Sequence, residues 1–217
     1  QPQSYDLPTA FYTLLGSTLF FFGCLLDAHP HLAMPGEPAR GMPYWLAALD
    51  VFEIGENLPV RTRGVLPGYV KGEDWRMAIM WGRTLVCVAE EVVRREREAR
   101  KKREAEDPDE PVWPPNSPFA AIAARRPPLR ARVSLKDGGE AASPHALLVL
   151  AQDQFSRGIL HMPHPLSSAR TEGAWIRSSK ELYTIAYEVL LLSEKLESAA
   201  ERQTWAGYAD SVFSQMK

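Results

Sequence analysis

EDWRMAIMWGRTLVCVAEEVV, residues 73–93, decides the fold class. Trp75, Ile79, Gly82, Val86, Ala89 and Val93 recur at helical spacing, and Met77, Trp81, Leu85, Val88 and Val92 form a second stripe beside them. A helix lying on a surface needs one apolar stripe. Apolar residues on two faces belong to a helix enclosed by neighbours. The rest of the chain must therefore supply helices to pack around this one.

Upstream, LPTAFYTLLGSTLFFFGCLL (residues 7–26) carries no charge, and Pro8 suits a first helical turn. Twenty uncharged residues are also enough to span a bilayer. Thr9, Thr13, Ser17 and Thr18 dilute the segment, and acids (Asp6 and Asp27) flank it rather than Lys or Arg. The expectation is a buried core helix in a soluble protein that does not engage a membrane. After a proline- and glycine-rich loop, YWLAALDVFEIG places Trp45, Leu49 and Phe52 on one face of a second helix. Asp50, Glu53 and Glu56 on that helix, and Glu90 and Arg94 on the third, read as solvated positions.

Downstream, Ser143-Pro144 is a helix start, with serine to cap and proline at the first position. HALLVLAQDQF after it suits a buried strand or a helix by composition, and the start signal selects helix. A long helix is expected from about Ala174 to Ser198. Ser198-Ala-Ala-Glu201 then has capping-box form and opens a last helix. On that helix Trp205, Tyr208, Ala209, Val212, Phe213 and Met216 keep strict helical spacing. The last helix is also a candidate docking element, because its stripe could face a partner.

The middle is different. Arg94 to Glu106 holds seven basic and four acidic residues and no large apolar side chain, so it cannot lie in a core. Arg94–Glu98 and Arg100–Glu104 pairs would support helix there. DEPVWPPNSP follows, too rich in proline to fold by itself. Residues 94–142 thus read as a charged, proline-rich insertion in a single helical domain of residues 1–217. PVRTRGV (59–65) and LRARVSL (129–135) alternate and could pair as a ribbon. The expected fold is mostly all-α: five or six packed helices, a long insertion and at most a small two-stranded ribbon.

The function classes follow from what the insertion carries. It reads as a solvated loop, as a protein-binding element, or as a basic contact for nucleic acid or nuclear import. For protein binding, Trp113, Phe119 and Ile122 would be apolar anchors and Arg100, Lys101, Lys102 and Arg103 their charged flank. For nucleic acid, Arg61, Arg63, Arg125, Arg126, Arg130 and Arg132 would add positive charge. A net charge of −2 argues against a wholesale nucleic-acid binder.

His29, His31, His161 and His164 form two loop pairs that could in principle ligate zinc in a metal-dependent enzyme, but proline interrupts both pairs. No nucleophile elbow, phosphate loop or dinucleotide fingerprint is present. Cys24 and Cys87 sit in apolar runs, as reduced thiols of intracellular proteins do. The chain has no initial methionine and no signal-peptide layout, which fits a piece of a longer protein. The expectation is a non-enzymatic scaffold or adaptor that needs no cofactor or metal. It would bind other proteins in an intracellular complex, in the nucleus rather than the cytoplasm. Nucleic-acid binding and metal-dependent catalysis are the alternatives.

Overall fold

Residues 9–57, 74–101, 143–162 and 172–216 are described by the computed structural model. They form six α-helices, one short 3-10 turn at Pro30–Leu32, and no strand among the described residues. The helices are α1 (Thr9–Ala28), α2 (Met42–Glu56), α3 (Trp75–Lys101), α4 (Pro144–His161), α5 (Glu172–Ser193) and α6 (Ala199–Ser214). The protein is all-α. The two segments expected to form a ribbon lie outside the described residues.

The double stripe of α3 explains the arrangement. α4 packs along it most extensively, α2 and α1 lie on another side, α5 touches it, and α6 packs on α5. Both stripes are buried from Met77 to Val93, with only Trp75 partly open. Glycines let the helices approach closely. A Cβ at Gly82 of α3 would stand 2.5 Å from the ring of Phe155 on α4, and one at Gly158 of α4 would stand 2.5 Å from Ile79 Cδ1 on α3. The two helices thus exchange a knob and a notch in each direction.

Local start signals act as the sequence implies. The Ser143 side chain accepts a hydrogen bond from Ala146 N at 3.1 Å with Pro144 at the first position, and Ser198 accepts from Glu201 N at 3.4 Å. HALLVLAQDQF is helical. The helix before Ser198 ends at Ser193, five residues earlier than expected, and Arg202 Nη1 binds the carbonyls of Leu196 and Glu197 in the intervening turn.

Two readings need correction. Asp50 is fully buried rather than solvated, because α2 is held between α1 and α3 and is covered on most of its circumference. Glu56 of the same helix pairs with Arg157 of α4 at 2.6 Å. The last helix, for its part, turns its stripe inward: Trp205, Ala209 and Val212 are buried, and Tyr208, Phe213 and Met216 pack against the core partly buried, so most of the stripe is spent within the fold.

The first part of the charged stretch is tied to the fold. α3 continues through it to Lys101. Arg94 reaches Asp27 of α1 and Glu91, Arg95 reaches Glu91 at 2.7 Å, and Arg97 donates to the carbonyl of Lys195. Arg94 thus finds partners one turn back and on another helix, where the sequence suggested Glu98. Lys195 also pairs with Glu90.

Two phenols are pushed upward. Burial raises Tyr208 to about 12, and burial with the nearby Glu37 carboxylate raises Tyr44 to about 12. An exposed tyrosine titrates near about 10. The folded state therefore favours the neutral phenols, and their contribution to stability is complete below about pH 10 and lost as pH rises towards about 12. In an absorbance titration, two of the seven tyrosines should ionise late, together with loss of helical signal. Tyr208→Phe should move the alkaline unfolding midpoint upward; an unchanged midpoint would remove Tyr208 from this account.

Candidate functional site

α1 begins with a run of helix-compatible apolar residues and stops at Asp27-Ala28, just before Pro30. One face is committed to the core through Gly16, Leu19, Phe20, Gly23 and Leu26. Among the described residues the other face is bare. Leu14 is 69% exposed and Phe21 55%, and Phe11, Thr18, Phe22 and Leu25 are exposed with them. Only 28% of the helix's most apolar window is buried, although its length and composition would suit a membrane span. The reading of α1 as a core helix therefore holds for one face only. Leu32 and Met34, past the helix end, are exposed as well.

Phe11, Leu14, Thr18, Phe21 and Leu25 fall at alternating spacings of three and four. That is the seam of a helix prepared to meet another helix. The Thr18 hydroxyl donates to Leu14 O at 2.8 Å, so the one polar group in the seam is satisfied within its own helix. Alongside the seam, a groove of about 470 Å³ opens between α1 and α3. Leu14 and Phe21 form one wall and Ile79 and Met80 the other.

The groove's end is fixed by Asp74, which starts α3. Its Oδ1 accepts from Arg76 N at 3.1 Å, and its Oδ2 accepts from the Thr13 hydroxyl at 2.6 Å, tying α1 to α3. Below the seam, Arg83 of α3 holds Glu188 of α5 with Nη2 at 2.6 Å and Nε at 3.0 Å, and its guanidinium carbon lies 5.2 Å from the Phe20 ring centre. Burial pulls the Arg83 pKa down, and the Glu188 carboxylate more than offsets this, leaving it above its ordinary value. The base of α1 is thus rigidly set while its outer face stays open.

Cys24 and Cys87 are free thiols, partly open, and neighbours across α1 and α3. Contact with the Cys87 thiol draws Cys24 below the usual thiol value. Contact with Cys24 together with burial pushes Cys87 up. Nothing in two isolated apolar runs signals that they meet.

Other exposed apolar residues are better covered or interrupted. Tyr183 and Tyr187 stack on each other at 5.8 Å, with Phe213 edge-on to Tyr183 at 5.9 Å. On α4, exposed Asp153 separates Val149 and Leu150 from Leu160. Of the residues expected to bind partners, Arg100 and Lys101 close the backbone of α3. Lys102, Arg103, Trp113, Phe119 and Ile122 lie outside the described residues, as do His164 and the arginines Arg61, Arg63, Arg125, Arg126, Arg130 and Arg132. His29 and His31 are exposed, with ring centres 5.8 Å apart. Among the described residues no group of three or more His, Cys, Asp or Glu side chains is placed to hold a metal ion.

The fold and this face define an all-α protein with a helix seam that no other described residue covers. Compared with protein-family models, curated proteins and solved structures, the chain matches none.

Proposed function

We propose that the chain is a non-enzymatic helical scaffold that works by binding protein, with the outer face of α1 as its docking element. The observation supporting this is the uncharged, heptad-spaced row of large apolar side chains left open on a helix whose opposite face is locked into the core. A folded chain that keeps such a row in water forgoes about 25 cal/mol for every Å² left bare, which a partner surface recovers. The charged insertion, through Trp113, Phe119 and Ile122, would widen the interface, and the run Arg100–Arg103 would direct the chain to the nucleus.

A photo-reactive aromatic amino acid in place of Phe21 tests the reading in cells. The expected result is a covalent adduct to protein that persists in high salt, as apolar association does. It should disappear when Leu14→Glu is added. Adducts to nucleic acid or lipid, or no adduct, would overturn the proposal. Nucleic-acid contact would also weaken steeply with salt.

A further inference from the structure

We infer that the occupant of the α1 seam is the α1 helix of a second copy, paired antiparallel about a two-fold axis at Thr18. This rests on the reading of α1 as a protein-docking face and names its partner. A two-fold interface must be self-complementary, so that if one residue meets another, the second meets the first. The exposed row satisfies that condition. Phe11 and Leu25 lie equally far from Thr18 on either side, as do Leu14 and Phe22. An antiparallel copy centred on Thr18 sets Phe11 against Leu25, Leu14 against Phe22 and the seam residue Phe21 against the half-buried Leu15, an aromatic against an aliphatic side chain in each case. At the centre the small Thr18 meets its own copy. Its hydroxyl already donates within the helix, so burial there strands no donor.

Charge supports the same occupant. Helix pairs that choose a different partner carry charges beside the seam. Here the flanking positions on α1 are Ala10, Ser17 and Cys24, and no charge occurs from Thr9 to Leu26. On α1 itself nothing repels a second copy; the charges of the adjoining groove, Asp74, Arg76 and Glu181, stand on the α3 and α5 side of it. The size is also suitable. Side chains of this kind each present about 150–250 Å² when fully open, so the exposed row leaves roughly 500 Å² bare per copy. Two copies together would then bury about 1,000 Å², the lower bound for a specific interface.

Sedimentation of the whole chain at micromolar concentration, without detergent, should give twice the chain mass. Leu14→Glu and Phe21→Glu should each give the single-chain mass with unchanged helical signal, since both side chains are more than half exposed. Independently of whether those variants fold, Thr18→Cys with Cys24 and Cys87 changed to Ser should oxidise to a covalent dimer. Ala28→Cys in the same background, also exposed but off the axis, should not. A single-chain mass for the unaltered protein would overturn the inference. So would a dimer indifferent to both glutamates, equal cross-linking of the two cysteine variants, or partition onto phospholipid vesicles in place of dimer formation. If the Phe21 photo-adducts contain only other proteins, this inference fails and the docking reading stands. If they contain no protein, both fail.

Discussion

Phe155→Ala should destabilise the protein by about 4 kcal/mol, the usual cost of removing a buried phenylalanine ring. For a chain of this size that lowers the melting temperature by roughly 8–16 °C. Phe155 is fully buried on α4 and fills the notch at Gly82 of α3, the most extensive helix contact in the fold. The coupling between the two positions is a sharper test than the loss alone. Gly82→Ala in the native background drives a methyl to 2.5 Å from the ring and should cost about 1–3 kcal/mol. In the Phe155→Ala background that methyl enters vacated space, and replacing a mid-helix glycine should instead stabilise by about 1 kcal/mol. The sign of one substitution thus reverses with the presence of one ring. Equilibrium unfolding of the four proteins measures it, and additive effects would show that the notch is not what limits Gly82.

This contact shows how far a sequence of this kind can be read. The double stripe on residues 75–93 required partners on two sides, and α2 and α4 supply them. Helix starts at Ser143 and Ser198 were legible because a cap is a local device, decided by a side chain and amides two or three residues away. The knob-and-notch exchange was not, since Gly82 becomes a notch only once Phe155, distant in the chain, faces it. Asp50 was misread for the same reason: spacing places a carboxylate on a face, and only the third element decides whether that face meets water.

The docking surface was legible in part. The absence of charge from Leu7 to Leu26 was plain, and it called for burial, but burial can be supplied from inside or outside the chain. With α2 and α3 covering Leu19, Phe20 and Leu26, too little apolar surface remains in contact with α1 to cover Leu14 and Phe21. A run that is apolar all round cannot reveal which of its faces the fold will leave bare. The charged stretch was half legible. Its inability to enter a core was clear from composition, whereas the anchoring of Arg94, Arg95 and Arg97 depends on Asp27, Glu91 and Lys195 standing nearby.

Trp205→Ala should cost about 3–5 kcal/mol, and the loss should fall unevenly across the protein. Trp205 is buried on α6, its indole Nε1 donates to His145 Nδ1 at the start of α4 at 3.3 Å, and Tyr208 lies edge-on to it. It joins the α5–α6 pair to the body of the fold. That pair packs on itself more than on α3, to which Arg83–Glu188, Lys195–Glu90 and the Arg97 contact hold it. The exposed Lys195–Glu90 pair contributes little by itself, which leaves the partly buried Arg83–Glu188 pair and Trp205 as the main ties, so removing the tryptophan should let the pair open as a unit. Amide exchange in residues 182–212 should then rise well above that of residues 77–93, which remain enclosed by α2 and α4. Trp205→Phe, which keeps an aromatic ring but loses the hydrogen bond, should cost about 1–2 kcal/mol and leave the exchange pattern closer to native. An equal rise in exchange along α3 and α6 would mean that the six helices unfold as one unit and that Trp205 stabilises all of them alike.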